Sequence, residues 1–100
     1  MIRPKQLARI GAFYLHEAVL DVLYDHHQHD KHGLGPAEIG RRAGIYREPG
    51  VVHMNDAIVT GCLNELHDQR RVERKPQEGG VGGWRLSEEE YGRRSDDSQS

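Results

Sequence analysis

A mainly α fold carrying a small β-hairpin is what the sequence predicts, on three observations. Apolar residues recur every three or four positions between Lys5 and His29, and again at Val59, Cys62, Leu63 and Leu66, which is the period of one buried helical face. The short runs "RVERK" and "GWRLS" alternate instead, as half-buried strands do, and "PQEGGVGG" between them supplies the glycines of a loose turn. One hundred residues, 35% hydrophobic with one Phe and one Trp, allow one domain with a thin aliphatic core.

The first helix is expected over 5–29. Its apolar positions Leu7, Ile10, Tyr14, Leu15, Ala18, Val19, Val22 and Leu23 lie on one face. A second set, Phe13, Leu20 and Tyr24, widens that face beyond one packing contact, which suggests a homodimer formed through this helix or, equally, a surrounding core. "DHHQHDKHG" ends the helix, with Gly33 able to take a left-handed cap conformation. In "GLGPAEIGRRAGI", Pro36 suits a first helical turn, Glu38 complements its positive end and Gly44 stops it, so a short helix is expected at about 36–43.

"YREPGVVHM" reads as a loop with a turn at Pro49-Gly50. Asn55, or a residue slightly earlier, caps a third helix that runs to about Arg70, where Arg70 and Arg71 suit the negative end. The hairpin follows over 72–87, with Trp84 as its packing anchor. Ser87 opens a possible helical turn, and the domain is expected to span 1–91, leaving 92–100 as a disordered acidic tail with too little apolar surface to bury.

Net charge is −2, and it is unevenly placed: residues 35–85 sum to +1 and residues 86–100 to −3. No run approaches a membrane span and the N-terminal stretch is too polar for a secretory signal, so a soluble, cytoplasmic protein is expected. Cys62 is alone, which rules out an intramolecular disulfide, and it falls in the apolar stripe of the third helix. Catalysis is not expected. Cys62 and His67, five apart, turn to different helical faces, and "GGVGG" lacks the Lys-Ser/Thr of a phosphate loop. No cofactor is expected.

Helix, short helix, helix and hairpin is the order of a winged helix-turn-helix domain, and residues 34–90 resemble one in detail. "GLGPAEIGRRAGI" looks like the first half of the motif, with Leu34 in the place of its short first strand. "AIVTGCLNELHDQRRVERKPQEGGVGGWRLSEEE" is similar to the recognition helix and wing of bacterial MarR-like and PadR-like regulators. Leu63 and Leu66 match their leucine pair, Val72-Glu73-Arg74 their first strand, and Leu86-Ser87-Glu88 their return strand. Two features depart from the pattern: Gly44 to Met54 is longer than the motif's turn, and the third helix carries Asp56, Glu65 and Asp68 with no Lys or Arg before Arg70.

The resemblance implies a transcriptional regulator bound to double-stranded DNA as a dimer, with a recognition helix at about 55–70 in the major groove. Asn55, Thr60, Gly61 and Asn64 would then face bases, since Asn reads an adenine edge and Gly permits close approach. Arg41, Arg42, Arg47, Arg70, Arg71, Lys75 and Arg85 would lie on the phosphate backbone. Winged helices also serve as protein-interaction modules, and the near-neutral charge and acidic third helix suit a basic protein partner.

The histidine cluster is a rival feature. Asp25 with His29, or His26 with His29, would share a helical face, and His32 follows, so a Zn²⁺ or Ni²⁺ site is conceivable. A solvated helix end rich in histidine explains the same residues, and His27 with them, without a metal.

Overall fold

The computed structural model describes the backbone of residues 4–44, 52–80 and 82–99, and the side chains of 14–44, 57–80 and 82–96. Within these residues the fold is mainly helical with one two-stranded antiparallel sheet, in the order α1 (Pro4–His29), α2 (Pro36–Arg42), α3 (Val52–Asp68), β1 (Val72–Arg74), β2 (Trp84–Leu86) and α4 (Glu88–Gln99).

Helix α1 buries Val19, Leu20 and Leu23 and ends where Asp30 N–H closes on the His26 carbonyl at 2.9 Å. Gly33 does not adopt the left-handed conformation expected of it; among the described glycines, positive φ is found at Gly44, Gly79 and Gly82. Its role is close approach. A Cβ on Gly33 would lie 2.2 Å from the Lys75 carbonyl oxygen, because Gly33 N–H donates to the Pro76 carbonyl across the hairpin. Leu34 exchanges two 2.8 Å hydrogen bonds with Trp84 and so flanks the sheet.

Helix α2 starts at Pro36 after Gly35, which offers no side chain to cap it, and stops at Gly44 with φ 76°. It packs chiefly on α3. Helix α3 closes with Arg71 N–H on the Leu66 carbonyl and Arg70 N–H on the His67 carbonyl, both 2.9 Å. This is the paired C-terminal motif that normally places a glycine in the left-handed position, yet Arg70 occupies it with φ 61°. Strands β1 and β2 pair Val72 with Leu86, Glu73 with Arg85 and Arg74 with Trp84.

The core joins the stripes: Val19, Leu20 and Leu23 from α1, Ile39 from α2, Val59, Leu63 and Leu66 from α3, and Val72, Trp84 and Leu86 from the hairpin. The tail is where the expectation fails. Instead of disorder from Gly92, the chain is helical to Gln99. Ser87 caps α4 by accepting from the Glu90 N–H at 3.2 Å, and Tyr91 stacks on His27 and Tyr24 with ring centroids 3.9 and 5.3 Å away. Glu90 is buried and accepts from Arg71 at 2.8 and 3.1 Å, while Arg94 pairs with Glu17 and Asp21 of α1. Composition counts too few apolar residues in 92–100, but it cannot see the charged partners that α1 supplies.

The fold also covers most of the extra apolar width of α1. Leu20 is fully buried and Tyr24 packs on Tyr91, so two of the three residues that suggested a dimer face are covered within the chain. Phe13, the third, lies outside the described side chains.

Candidate nucleic-acid interface

Over the described side chains of α3, the outer surface is made of small and polar residues, because the inward stripe uses the large apolar ones except Ile58, which is 46% exposed. Gly61 and Asn64 are exposed and Thr60 is half-buried beside them. A Cβ added at Gly61 would meet nothing within 4 Å, so no internal packing demands a glycine there. Asn55 lies in the first turns of α3, with its side chain outside the described residues. Glu65 Oε2 sits 2.8 Å from His16 Nε2, tying α3 to α1, and Asp68 is exposed.

Six of the seven expected cations lie within the described residues and divide into two groups. Arg70 and Lys75 are exposed at the end of α3 and on the hairpin. Arg41 and Arg42 are exposed on α2, and both donate to the same Glu38 oxygen, at 2.6 and 2.8 Å. The hydrogen bond from Arg41, then that from Arg42, holds the Glu38 carboxyl below the usual glutamate range. Two positive charges therefore share one negative one, which leaves α2 an excess of positive charge. Arg47 lies outside the described residues.

Arg71 and Arg85 are placed differently from what the sequence predicted. Arg71 is 23% exposed and holds Glu90 through two hydrogen bonds, with Glu17 at 3.7 Å. Arg85 is 13% exposed, and its guanidinium reaches the carbonyls of His27 and Asp30 at 3.4 Å and Glu88 at 3.5 Å. Both guanidiniums brace the fold. Spacing alone could not separate them from the exposed set, because their partners are 19 and 58 residues away or come from turns.

Arg74 was not among the expected contacts. Its guanidinium lies 4.3 Å from the Trp84 ring centroid, and the side chain remains exposed on the hairpin. The cross-strand pairing of Arg74 with Trp84 creates that contact, and register is the one property of a short hairpin that alternation leaves open.

The histidines scatter. His26 is buried and donates from Nε2 to the His32 carbonyl at 2.9 Å, while His29 and Asp25 are exposed and 3.9 Å apart. His27 is packed under Tyr91, and burial, followed by the Arg85 charge, pushes its pKa below the ordinary value of 6.5. Asp25, His26 and His29 thus do not converge. Cys62 is buried and its thiol is pushed up to about 11 by burial and by Glu65, which keeps it protonated near neutrality.

Among the described residues, no helix is long and apolar enough to cross a membrane. No family model matches the chain, and no curated protein and no solved structure matches it either.

Proposed function

We propose that the chain is a winged-helix transcriptional regulator that binds double-stranded DNA sequence-specifically, with α3 in the major groove and the hairpin against the backbone. The observation that carries this reading is the outer face of α3: Thr60, Gly61 and Asn64, without a bulky side chain, with exposed Arg70 just past the C-terminal end of the helix, beyond Glu65 and Asp68. A groove-reading helix needs short polar side chains where it meets base edges and cations where it leaves them. Arg41 and Arg42 on α2, and Arg74 and Lys75 on the hairpin, are exposed on elements that pack against α3. Arg70 adds a thermodynamic argument. An arginine held at φ 61° where glycine is strain-free costs about 1–2 kcal/mol, and a charge retained at that cost suits a contact function.

Selection from a randomised duplex pool, at low and then physiological salt, tests the reading. An enriched motif is expected, with half-sites about one helical turn apart if the chain binds as the proposed homodimer. Asn64→Ala should relax the preference at one position, and Arg70→Ala should weaken all duplexes alike and lower the salt slope by about 0.9. Retention without any motif, lost at physiological salt, would overturn it.

A second reading, a protein-interaction module, is favoured by Glu65 and Asp68 on α3 and by the withdrawal of Arg71 and Arg85 into internal bonds. A basic protein partner would then need Asp68, and Asp68→Lys would abolish its binding while strengthening any duplex binding.

A further inference from the structure

We propose that Asp30, His32 and Glu78 form a binding site for a divalent transition-metal ion that ties the hairpin turn to the end of α1. Their ligand atoms lie within 4.8 Å of one another, although Glu78 is far from the other two in sequence. The fold brings them together through the backbone: Gly33 pairs with Gln77 and donates to Pro76 at 2.9 Å, which sets the turn carrying Glu78 beside the link between α1 and α2.

Two of the three groups are already held in position. Asp30 Oδ1 accepts from the His32 backbone N–H at 2.9 Å and lies 2.7 Å from His32 Nδ1. Buried His26 fixes the same backbone from behind by donating to the His32 carbonyl. The 2.7 Å contact is an Nδ1–H donating to the Asp30 carboxylate; when the imidazole is in its other tautomer, with the proton on Nε2, Nδ1 presents a lone pair beside that carboxylate and an ion takes the place of the shared proton. Zn²⁺ bonds to nitrogen and carboxylate oxygen are about 2.0–2.2 Å, and exposed Glu78 is the ligand that must adjust to close on the same ion.

One imidazole and two carboxylates make a donor set suited to Zn²⁺ and its first-row neighbours, and three protein ligands leave a coordination position for water. The carboxylates supply two negative charges. Arg85 borders the same hollow, but its guanidinium is directed to the His27 and Asp30 carbonyls and to Glu88, and Lys31 is exposed to solvent. The site differs from an Asp25–His29 pair, which has both side chains exposed and no contribution from the hairpin.

The test is competition between the full, chelator-stripped chain and a chromophoric chelator for Zn²⁺, with backbone amide exchange read in parallel. One equivalent should bind, Glu78→Gln and His32→Ala should each weaken it roughly tenfold or more, and His29→Ala should leave it unchanged. Exchange at residues 77–80 should slow with Zn²⁺ in the parent and not in Glu78→Gln. Glu78 is exposed on a turn, so its variant keeps the fold and gives a result even if His32→Ala is destabilised. No competitive binding by the parent, or binding that survives both Glu78→Gln and His32→Ala, would overturn the site.

Discussion

Two neighbouring arginines at the end of α3 are used in opposite ways. Arg71 turns inward and holds buried Glu90 against α1 and α4, while Arg70, one residue earlier, stands in solvent with its backbone in the left-handed region. The same contrast extends over the molecule. The junction of α1, α4 and the end of α3 pairs its charges internally, through Arg71, Arg93 and Arg94 with Glu17, Asp21 and Glu90. The outer side of α2, α3 and the hairpin leaves Arg70 and Lys75 exposed and gives Arg41 and Arg42 one carboxylate between them. A net charge of −2 therefore describes neither region. Charges near a buried partner act through desolvation and geometry, whereas exposed ones act through the field they present to a partner.

The largest effect should come from breaking the paired region. Glu90→Ala leaves Arg71 without its buried partner and should cost about 3 kcal/mol in chemical denaturation, with loss of helical signal from α4. If Glu90→Ala changes stability by less than ~0.5 kcal/mol, the junction does not hold α4 in place.

Acid should dissect the same region in two stages. His27 has a folded pKa below 6.5, because burial and Arg85 disfavour its charge. Its contribution is present above the unfolded value and is lost as pH falls from 6.5 toward the folded one. For Glu90, burial alone would raise the pKa, but hydrogen bonds from Arg71 and Arg93 carry it below 4.5. That contribution is intact above pH 4.5 and lost as pH falls through the lower folded value. Denaturation midpoints followed from pH 7.5 to 3 should drop in both windows, and His27→Phe should flatten the upper one alone.

Arg70→Gly sharpens the comparison at a single residue. Relief of the left-handed arginine should raise stability by about 1 kcal/mol, while duplex affinity falls under the proposed function. A variant that is more stable and binds duplex as well as the parent would separate the strain from that function. The smallest effect is expected at Arg41→Ala, where the pair with Glu38 is exposed and screened by solvent and where Arg42 still holds Glu38, so the denaturation midpoint should stay at the parent's. A clear fall in the midpoint there would show that α2 depends on the pair for its fold.

Much of this architecture was legible locally. The stripe Val59, Cys62, Leu63, Leu66 became the buried face of α3, Pro36 and Gly44 bound α2, and the hairpin formed on either side of the glycine-rich turn with Trp84 inside. The candidate site was legible in part. Gly61 and Asn64 are exposed because they fall opposite that stripe, a fact of helical period alone. Periodicity had no means of ranking the arginines or of placing α4, since neither depends on neighbours along the chain.

By itself the sequence determined which faces of the helices are apolar, where they stop and where the chain turns back, because backbone preferences and side-chain period act over a few residues. Tertiary structure alone decided the rest: that Gly33 must lack a side chain against Lys75, that Arg71 and Arg85 are internal, that an acidic tail folds as a helix, and that Glu78 meets Asp30 and His32. The physical reason is common to all four. Each depends on a partner distant in sequence, and a charge or a missing Cβ acquires its energetic role only when the fold brings that partner within contact distance.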